Sequence, residues 1–303
     1  AGEPGPAQLA LVAAPHGAAT KVIYPPRVRV MTWNLWWRFG DWRARRPAIL
    51  EVLRRERPDV VCLQEVWDEP AEGSSAEIAA ALGLHHVHGA SPEPGSFQRR
   101  TGEPDVGVGN AVLSRWPISR TLVHDLPDVD GAGRGRVALL AVVDHPAGPV
   151  PVVTTHLTSA PHLSAVRCEQ VRSLAGLVAE HALGEEHPPV VTGDLNAEAD
   201  SDEMRLLGGW KTAPAVPGLV LVDAWSHADP RDPGHTWSPR NPHVAATGSP
   251  GARIDHVLVG WQGHPTGRGR GRVCEVRVTG DEAVDGVWPS DHAAVVVDLA
   301  PGG

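Results

Sequence analysis

The sequence predicts an α/β protein in which mixed β-sheets carry helices on their outer faces. Three observations lead there. Short, almost wholly apolar runs such as VRVMTWN, DVVCLQE and PPVVTGDLN stop abruptly at polar side chains, as strands buried on both faces do at a sheet edge. Two longer segments, 43–57 and 162–182, repeat their apolar residues at helical spacing. Strand-like runs also occur both singly between helices and in consecutive groups, which implies mixed parallel and antiparallel pairing.

The elements follow in order. Residues 28–34 alternate in polarity and end at Asn34. Residues 43–57 set Ile49, Leu50 and Leu53 at helical spacing and are closed by Pro58 and Asp59. The run 59–65 predicts a buried strand whose last side chains, Gln64 and Glu65, emerge at an edge. A small helix over 75–82 precedes strands near 85–88, 106–114, 119–124, 136–143 and 150–156. Val166, Gln170, Leu174 and Leu177 give 162–182 the clearest helical face, and residues 188–196 again predict a strand ending in polar residues. A short helix near 201–207 and strands near 220–224, 253–259, 272–278 and 293–299 complete the chain. The stretches 91–105, 228–251 and 262–272, rich in Gly, Pro and Arg, read as surface loops flanking a site. No repeat or long linker intervenes, so residues 28–303 read as one domain behind an arm of residues 1–27. The apolar part of that arm, Leu9 to Pro15, is short and lacks a preceding basic region, which does not support a signal peptide.

Composition narrows the function classes. With 42% hydrophobic and 21% charged residues, the chain has enough apolar material for a sizeable core. A net charge of −9 argues against a surface that attracts nucleic acid everywhere, though not against a local basic groove. Three scattered cysteines, Cys62, Cys168 and Cys274, fit neither a disulfide framework nor a Cys-rich zinc site. Cys62 reads as a small core residue; reduced thiols lean towards the cytoplasm and leave secretion open. No apolar run reaches the roughly 18 residues needed to span a bilayer, and no stable protein partner is implied.

Polar residues recur at the ends of the apolar strands: Asn34, Glu65, His156, Asp194 with Asn196, Asp255, and Asp291 with His292. Singly, each has a structural explanation: Asn34 as a helix cap, Glu65 as a solvated strand end, Asp194 to Asn196 as a turn. His256, beside Asp255, reads as structural. Together they supply carboxylates, amides and imidazoles from strand ends that can converge on one edge. Hard oxygen ligands suit Mg²⁺ or Mn²⁺ better than zinc. Neither a P-loop with its Lys nor the G-x-S-x-G elbow of esterases is present.

The ordered fragments TWNLW, LQEVW, GNAVLSRWPI, TTHLTS, GDLNAE, RIDHVLV and PSDHAAV, from Thr32 to Val296, resemble the signature set of the endonuclease/exonuclease/phosphatase family. The resemblance implies a DNase I-like four-layer sandwich, two packed mixed sheets flanked by helices, with the site at one end. It implies hydrolysis of phosphate esters, nucleic acid among them, with Mg²⁺ (or Mn²⁺) held by Glu65 and supported by Asn34 and Asp291. Asp194 would activate the attacking water, helped by Asn196. His156 and His292 would face the phosphate oxygens, and Asp255 would hold His292 in the right tautomer. Substrate contacts would come from Trp36, Trp237, Arg134 and Asn110.

Abasic-site endonucleases of this family carry Tyr where TTHLTS has His156, so the chain leans towards the DNase-like, sphingomyelinase-like and adduct-removing branches. The 11 Trp, against one Tyr and two Phe, fit either core packing or stacking on bases and lipid. Arg99, Arg100, Arg134, Arg136, Arg268 and Arg270 are candidates for a phosphate groove or for solvated loops. A nuclease acting on nucleic acid is the leading reading. A lipid-headgroup or metabolite phosphohydrolase and an inactive binding scaffold are its alternatives.

Overall fold

A computed structural model describes residues 9–13, 19–23, 27–69, 72–261 and 269–300. The chain runs β1 (Leu9–Ala13), β2 (Ala19–Ile23), β3 (Val28–Asn34), α1 (Trp42–Glu56), β4 (Val60–Asp68), α2 (Ser74–Leu82), β5 (His85–Ala90), α3 (Gly95–Thr101) and β6 (Gly107–Ser114). It continues with β7 (Ile118–Asp125), β8 (Val137–Val143), β9 (Val150–His156), α4 (Ser164–His181), β10 (Val190–Asp194), α5 (Asp202–Gly208) and β11 (Leu221–Asp223). The last elements are α6 (Pro242–Ala245), β12 (Asp255–Gly260), β13 (Val273–Thr279) and β14 (Ala294–Leu299).

Two six-stranded sheets result, ordered β13-β14-β3-β4-β6-β5 and β11-β12-β10-β9-β8-β7. Both are mixed: β3 with β4 and β9 with β10 are parallel, and the remaining pairs are antiparallel. Period-two alternation then decides what each strand face meets. Val30, Cys62, Val112 and Val295 of the first sheet pack against Leu139, Val152, Val190 and Val257 of the second, filling the seam between them. The opposite faces of the same strands carry Met31, Leu63 and Val296, which pack on Ile49, Val52 and Leu53 of α1 and Ile78 of α2. On the second sheet, Leu140, Val153, Val191 and Leu258 meet Val171, Leu174 and Val178 of α4 and Leu207 of α5. The molecule is therefore four layers deep, helices outside two packed mixed sheets, as the sequence predicts. VALLAVV in β8 is apolar throughout because both its faces are covered.

Three departures have physical reasons. Residues 91–105 contain α3, which buries none of its side chains and so shows no apolar period. Within 228–251, α6 starts on Asn241, whose side chain accepts from the His243 backbone N–H at 3.0 Å; four residues are too few for a periodic pattern. Strand β4 runs to Asp68, past a bulge between Leu63 and Val66. Of the arm before Val28 the described parts are β1 and β2, which pair antiparallel. Residues 262–268, including Arg268, lie outside the described residues.

At the end of the seam where β8 stops and β10 starts, two buried imidazoles, His145 and His187, meet edge to face at 5.7 Å between ring centres. Neither has a carboxylate partner among the described residues. Burial pushes both below the ordinary histidine range, His187 to about 4, with His145 and Arg270 pushing the same way. A depressed histidine contributes stability that is present above its unfolded pKa, about 6.5, and lost as pH falls towards 4. The His187→Gln protein should therefore lose less thermal stability than the parent between pH 7 and pH 4.5. A melting-temperature gap between the two proteins that stays constant across that range would refute this.

Candidate active site

Alternation and register alone bring the polar strand ends together. On β3, Val28 and Val30 face the seam, so Asn34 does too; on β10 and β12 the seam residues Val190 and Val257 set the same parity for Asp194 and Asp255. Asp194 stands opposite His156 of β9 on one side and Asp255 of β12 on the other. His256 has the opposite parity and points away, its Nε2 bonded to the Ala197 carbonyl at 2.8 Å and its Nδ1 to Arg253 at 2.8 Å. That agrees with its structural reading.

Glu65 reaches the same place by a different device. Leu63 faces the helices, so regular alternation would turn Glu65 outward as well. The bulge in β4 inserts one residue, and Glu65, in the left-handed region at φ 51°, swings towards the seam. Its Oε1 lies 3.8 Å from His156 Nδ1, and its Oε2 is buried without a hydrogen-bond partner. Burial, with the charge of Asp291 added, pushes the Glu65 carboxyl up to about 7. Asp291, 8% exposed, is pushed up to about 6, again chiefly by burial.

Asp194 is held from two sides. Asn34 Nδ2 donates to its Oδ2 at 2.9 Å, and the Asn196 backbone N–H donates to its Oδ1 at 3.0 Å. Asn196, at φ 48°, directs its own amide to the Leu157 carbonyl at 3.1 Å. His156 Nε2 is 3.3 Å and His292 Nε2 is 3.7 Å from Asp194 Oδ2. His292 Nδ1 bonds Asp255 Oδ2 at 2.8 Å. Asp194, Asp255 and His292 thus form a buried cluster with donor atoms within 4.8 Å of one another. The two imidazoles behave oppositely. Burial and the nearby Arg136 push His156 down to about 3, whereas for His292 the charges of Asp255 and Asp194 overcome burial and hold it well above the ordinary range.

Glu65 and His156 open onto a groove of about 450 Å³, with Asn110, Arg99, Arg134 and Arg136 among its walls. Asn110 lines it while its Nδ2 donates to the Val137 carbonyl at 2.9 Å. Arg134 stands at the rim, paired with Asp128 at 2.9 Å. Trp237 touches His292 edge to face at 4.9 Å. Trp36 packs on His243 at 4.5 Å and under Arg45 rather than in this groove. Of the other candidate arginines, Arg100 lies over Phe39 and Arg270 pairs with Glu186, so neither lines the groove.

Sequence reasoning passed over two residues. Arg45 has a buried guanidinium bonded only to backbone carbonyls, and burial lowers it to about 10. No spacing rule exposes such a role. Gly193, at φ 145°, would set a Cβ 1.9 Å from the Thr155 carbonyl oxygen, so the close approach of β10 to β9 beside Asp194 requires glycine. That signal was open to sequence reading, since a Gly inside a strand often marks such an approach.

The profile of the Endonuclease/Exonuclease/phosphatase family matches residues 31–292. No match to the sequence is found among the curated proteins. Among solved structures, D. rerio TDP2 complexed with single strand DNA product superposes with a TM-score of 0.69 at 19% identity, covering 90% of this chain and 98% of that one. The human Nocturnin catalytic domain with bound sulfate anion gives 0.66 at 19% identity, covering 90% and 94%. An endonuclease/exonuclease/phosphatase from Beutenbergia cavernae DSM 12333 gives 0.64 at 26% identity, covering 92% of this chain and 72% of that one. With the seven motifs in order and their polar residues gathered at one end of a four-layer sandwich, the chain belongs to the Endonuclease/Exonuclease/phosphatase family.

Proposed function

We propose that the protein is a divalent-metal-dependent phosphodiesterase acting on nucleic acid. The observation that carries the reading is that His156 stands between a doubly anchored carboxylate, Asp194, and Glu65, whose Oε2 is unpartnered, with Glu65 and His156 lining one groove. The donor set suits Mg²⁺ or Mn²⁺. Glu65 and Asp291 are carboxyls whose charge is disfavoured without a cation, and Asn34 adds an amide oxygen. When bound, such an ion would withdraw charge from the phosphoryl oxygens.

The chain's own groups supply the rest. Asp194, fixed by Asn34 and Asn196, is oriented to accept a proton from water as its oxygen attacks phosphorus, the opposite P–O ester bond breaks and the alkoxide leaves to take a proton from solvent. His156, kept neutral by burial, offers a hydrogen bond to a non-bridging oxygen. His292, held as the imidazolium by Asp255, offers a charged one against the negative charge that grows during attack. Arg99, Arg134 and Arg136 along the groove favour a polyanion, and D. rerio TDP2, a structural neighbour, is complexed with single strand DNA product. A lipid substrate draws less support. The exposed indole of Trp261 directly follows β12, whose opposite end carries Asp255 at the site. No helix among the described residues is long and apolar enough to cross a membrane.

Hydrolysis of bis-p-nitrophenyl phosphate and of single-stranded DNA, with Mg²⁺, Mn²⁺ or EDTA, tests the reading. Both substrates should be cleaved only with metal, and Asp194→Ala should lose at least about 10²- to 10⁴-fold in rate. Cleavage of the small diester alone would move the substrate to a lipid or metabolite; cleavage of neither would end the phosphodiesterase reading.

Carboxyls raised by burial oppose folding fully above their folded pKa, about 7 for Glu65 and about 6 for Asp291, and the cost shrinks below those values until it is gone near pH 4, where the unfolded groups also protonate. Mg²⁺ relieves the same cost at high pH. At a hundredfold excess over its Kd, Mg²⁺ should raise the melting temperature by about 5 °C at pH 8. The gain should fade below pH 6; a gain that does not depend on pH would place the ion elsewhere.

Asp255→Asn should lower the His292 pKa, because the charge on its Nδ1 side is lost. An NMR titration of the imidazole nitrogens reads this directly, and an unchanged midpoint would remove Asp255 from the role given to it.

A further inference from the structure

The inference rests on the metal-dependent reading above and concerns what holds the metal ligands in place. Arg45, on the first turn of α1, is 3% exposed. Its guanidinium donates to the carbonyls of Leu35 at 2.7 Å, Trp36 at 3.0 Å, Trp37 at 2.9 Å, Phe39 at 3.0 Å and Pro289 at 3.0 Å. No carboxylate lies within ion-pairing distance of it among the described residues. All five bonds come from Nη1 and Nη2, while Nε is buried without a partner, so the residue contributes geometry rather than charge pairing.

Those carbonyls belong to the segments that carry the candidate ligands. Leu35 directly follows Asn34, and Pro289 stands two residues before Asp291. The loop between is bent the wrong way for ordinary residues: Trp36 and Trp37 sit at φ 58° and 35°. The N–H groups of this loop then reach the bulge in β4, where Leu35 N–H donates to the Gln64 carbonyl at 3.0 Å and Trp37 N–H to the Glu65 carbonyl at 3.1 Å. Asn34, Glu65 and Asp291 come from three separate segments, and each is joined to the one guanidinium within two residues or one further hydrogen bond.

The geometry points to Arg45 as a positioning residue for the metal centre, a clamp that fixes Asn34, Glu65 and Asp291 relative to one another without touching metal or substrate. Lysine keeps the charge but has three donors on one nitrogen, which cannot serve four carbonyls of one loop and a fifth on another.

The test is Mn²⁺ binding to the metal-free protein without substrate, followed by the electron paramagnetic resonance signal of the free ion, with circular dichroism as a check on folding. The parent should bind Mn²⁺, and Arg45→Lys should raise the half-saturating concentration by about 10- to 100-fold, the usual cost of losing a residue that orients ligands. With saturating metal, its kcat on bis-p-nitrophenyl phosphate should recover towards the parent value while KM for the ester stays unchanged. A purely structural role would lower the melting temperature and leave Mn²⁺ binding alone.

Should Arg45→Lys fail to fold, Gly40→Ala disturbs the same loop from its other side. Gly40 sits at φ 62°, and an added Cβ would lie 2.9 Å from Trp36 Cζ3. Weakened Mn²⁺ binding in Gly40→Ala supports the clamp. Parent-like binding in folded Arg45→Lys, or in Gly40→Ala where Arg45→Lys does not fold, overturns it. A parent that binds no Mn²⁺ overturns the metal-dependent reading itself.

Discussion

Four carboxylates, Glu65, Asp194, Asp255 and Asp291, meet at one end of a seam that is otherwise packed with valine, and keeping that charge tolerable organises everything around it. At an effective dielectric constant near 20, two like charges 4 Å apart repel by about 4 kcal/mol, before any cost of leaving water. Half of the burden is met from within. His292 sits against Asp255 and near Asp194, and Asn34 and the Asn196 N–H satisfy both oxygens of Asp194. Glu65 and Asp291 have no comparable partner, and their carboxyls are the ones driven upward. The division matches the proposed reading, in which the neutralised half would serve proton transfer and charge stabilisation and the unneutralised half would hold a cation.

The seam also explains why these residues end up together. Strands of one parity build a dry interface of Val30, Val152, Val190 and Val257, then continue to a rim where the same face carries Asn34, His156, Asp194 and Asp255. Just beneath the rim, Gln64 Nε2 donates to Thr32 Oγ1 at 3.0 Å and Thr154 Oγ1 at 2.8 Å, tying the sheets across the seam where apolar packing gives way. Rigidity of the sheets is thereby transmitted to the candidate side chains, which occupy the last registered pairs of the ladders, Asp194 with His156 and Asp255 and Asn34 with Gln64. Glu65 is the exception that needed a backbone irregularity, since no regular strand could aim it at the seam while Leu63 faced the helices.

This difference separates what was legible in the sequence from what was not. Asn34, His156 and Asp194 end apolar strands and Asp255 begins one, so their convergence follows from strand period and register, and the layer order follows from apolar runs flanked by helices. The bulge at Glu65 leaves no trace in composition, because an inserted residue changes parity without changing residue type. Helix α3 was invisible for a related reason: a short helix that packs the single aromatic Phe97 and fully buries no residue has no stripe to read. Arg45 was hidden most thoroughly. Its partners are backbone carbonyls, which every residue has, so nothing in the sequence of the loop announces that they are waiting for a guanidinium.

Charge distribution follows a similar logic of pairing. The chain carries a net charge of −9, and many of its arginines are spent on carboxylates: Arg29 on Asp298, Arg167 on Glu203, Arg277 on Glu56. In the groove the pattern breaks. Arg99 and Arg136 have no carboxylate within ion-pairing distance among the described residues, and burial lowers the Arg136 pKa in spite of the opposing charges of Glu65 and Asp194. A chain of net negative charge therefore carries a groove in which arginines without carboxylate partners are gathered. Within a Debye length of about 8 Å at physiological salt the local arginines dominate, and beyond it the net charge is screened. Under the proposed reading, recognition would therefore rest on contacts made inside the groove and not on the net charge of the chain.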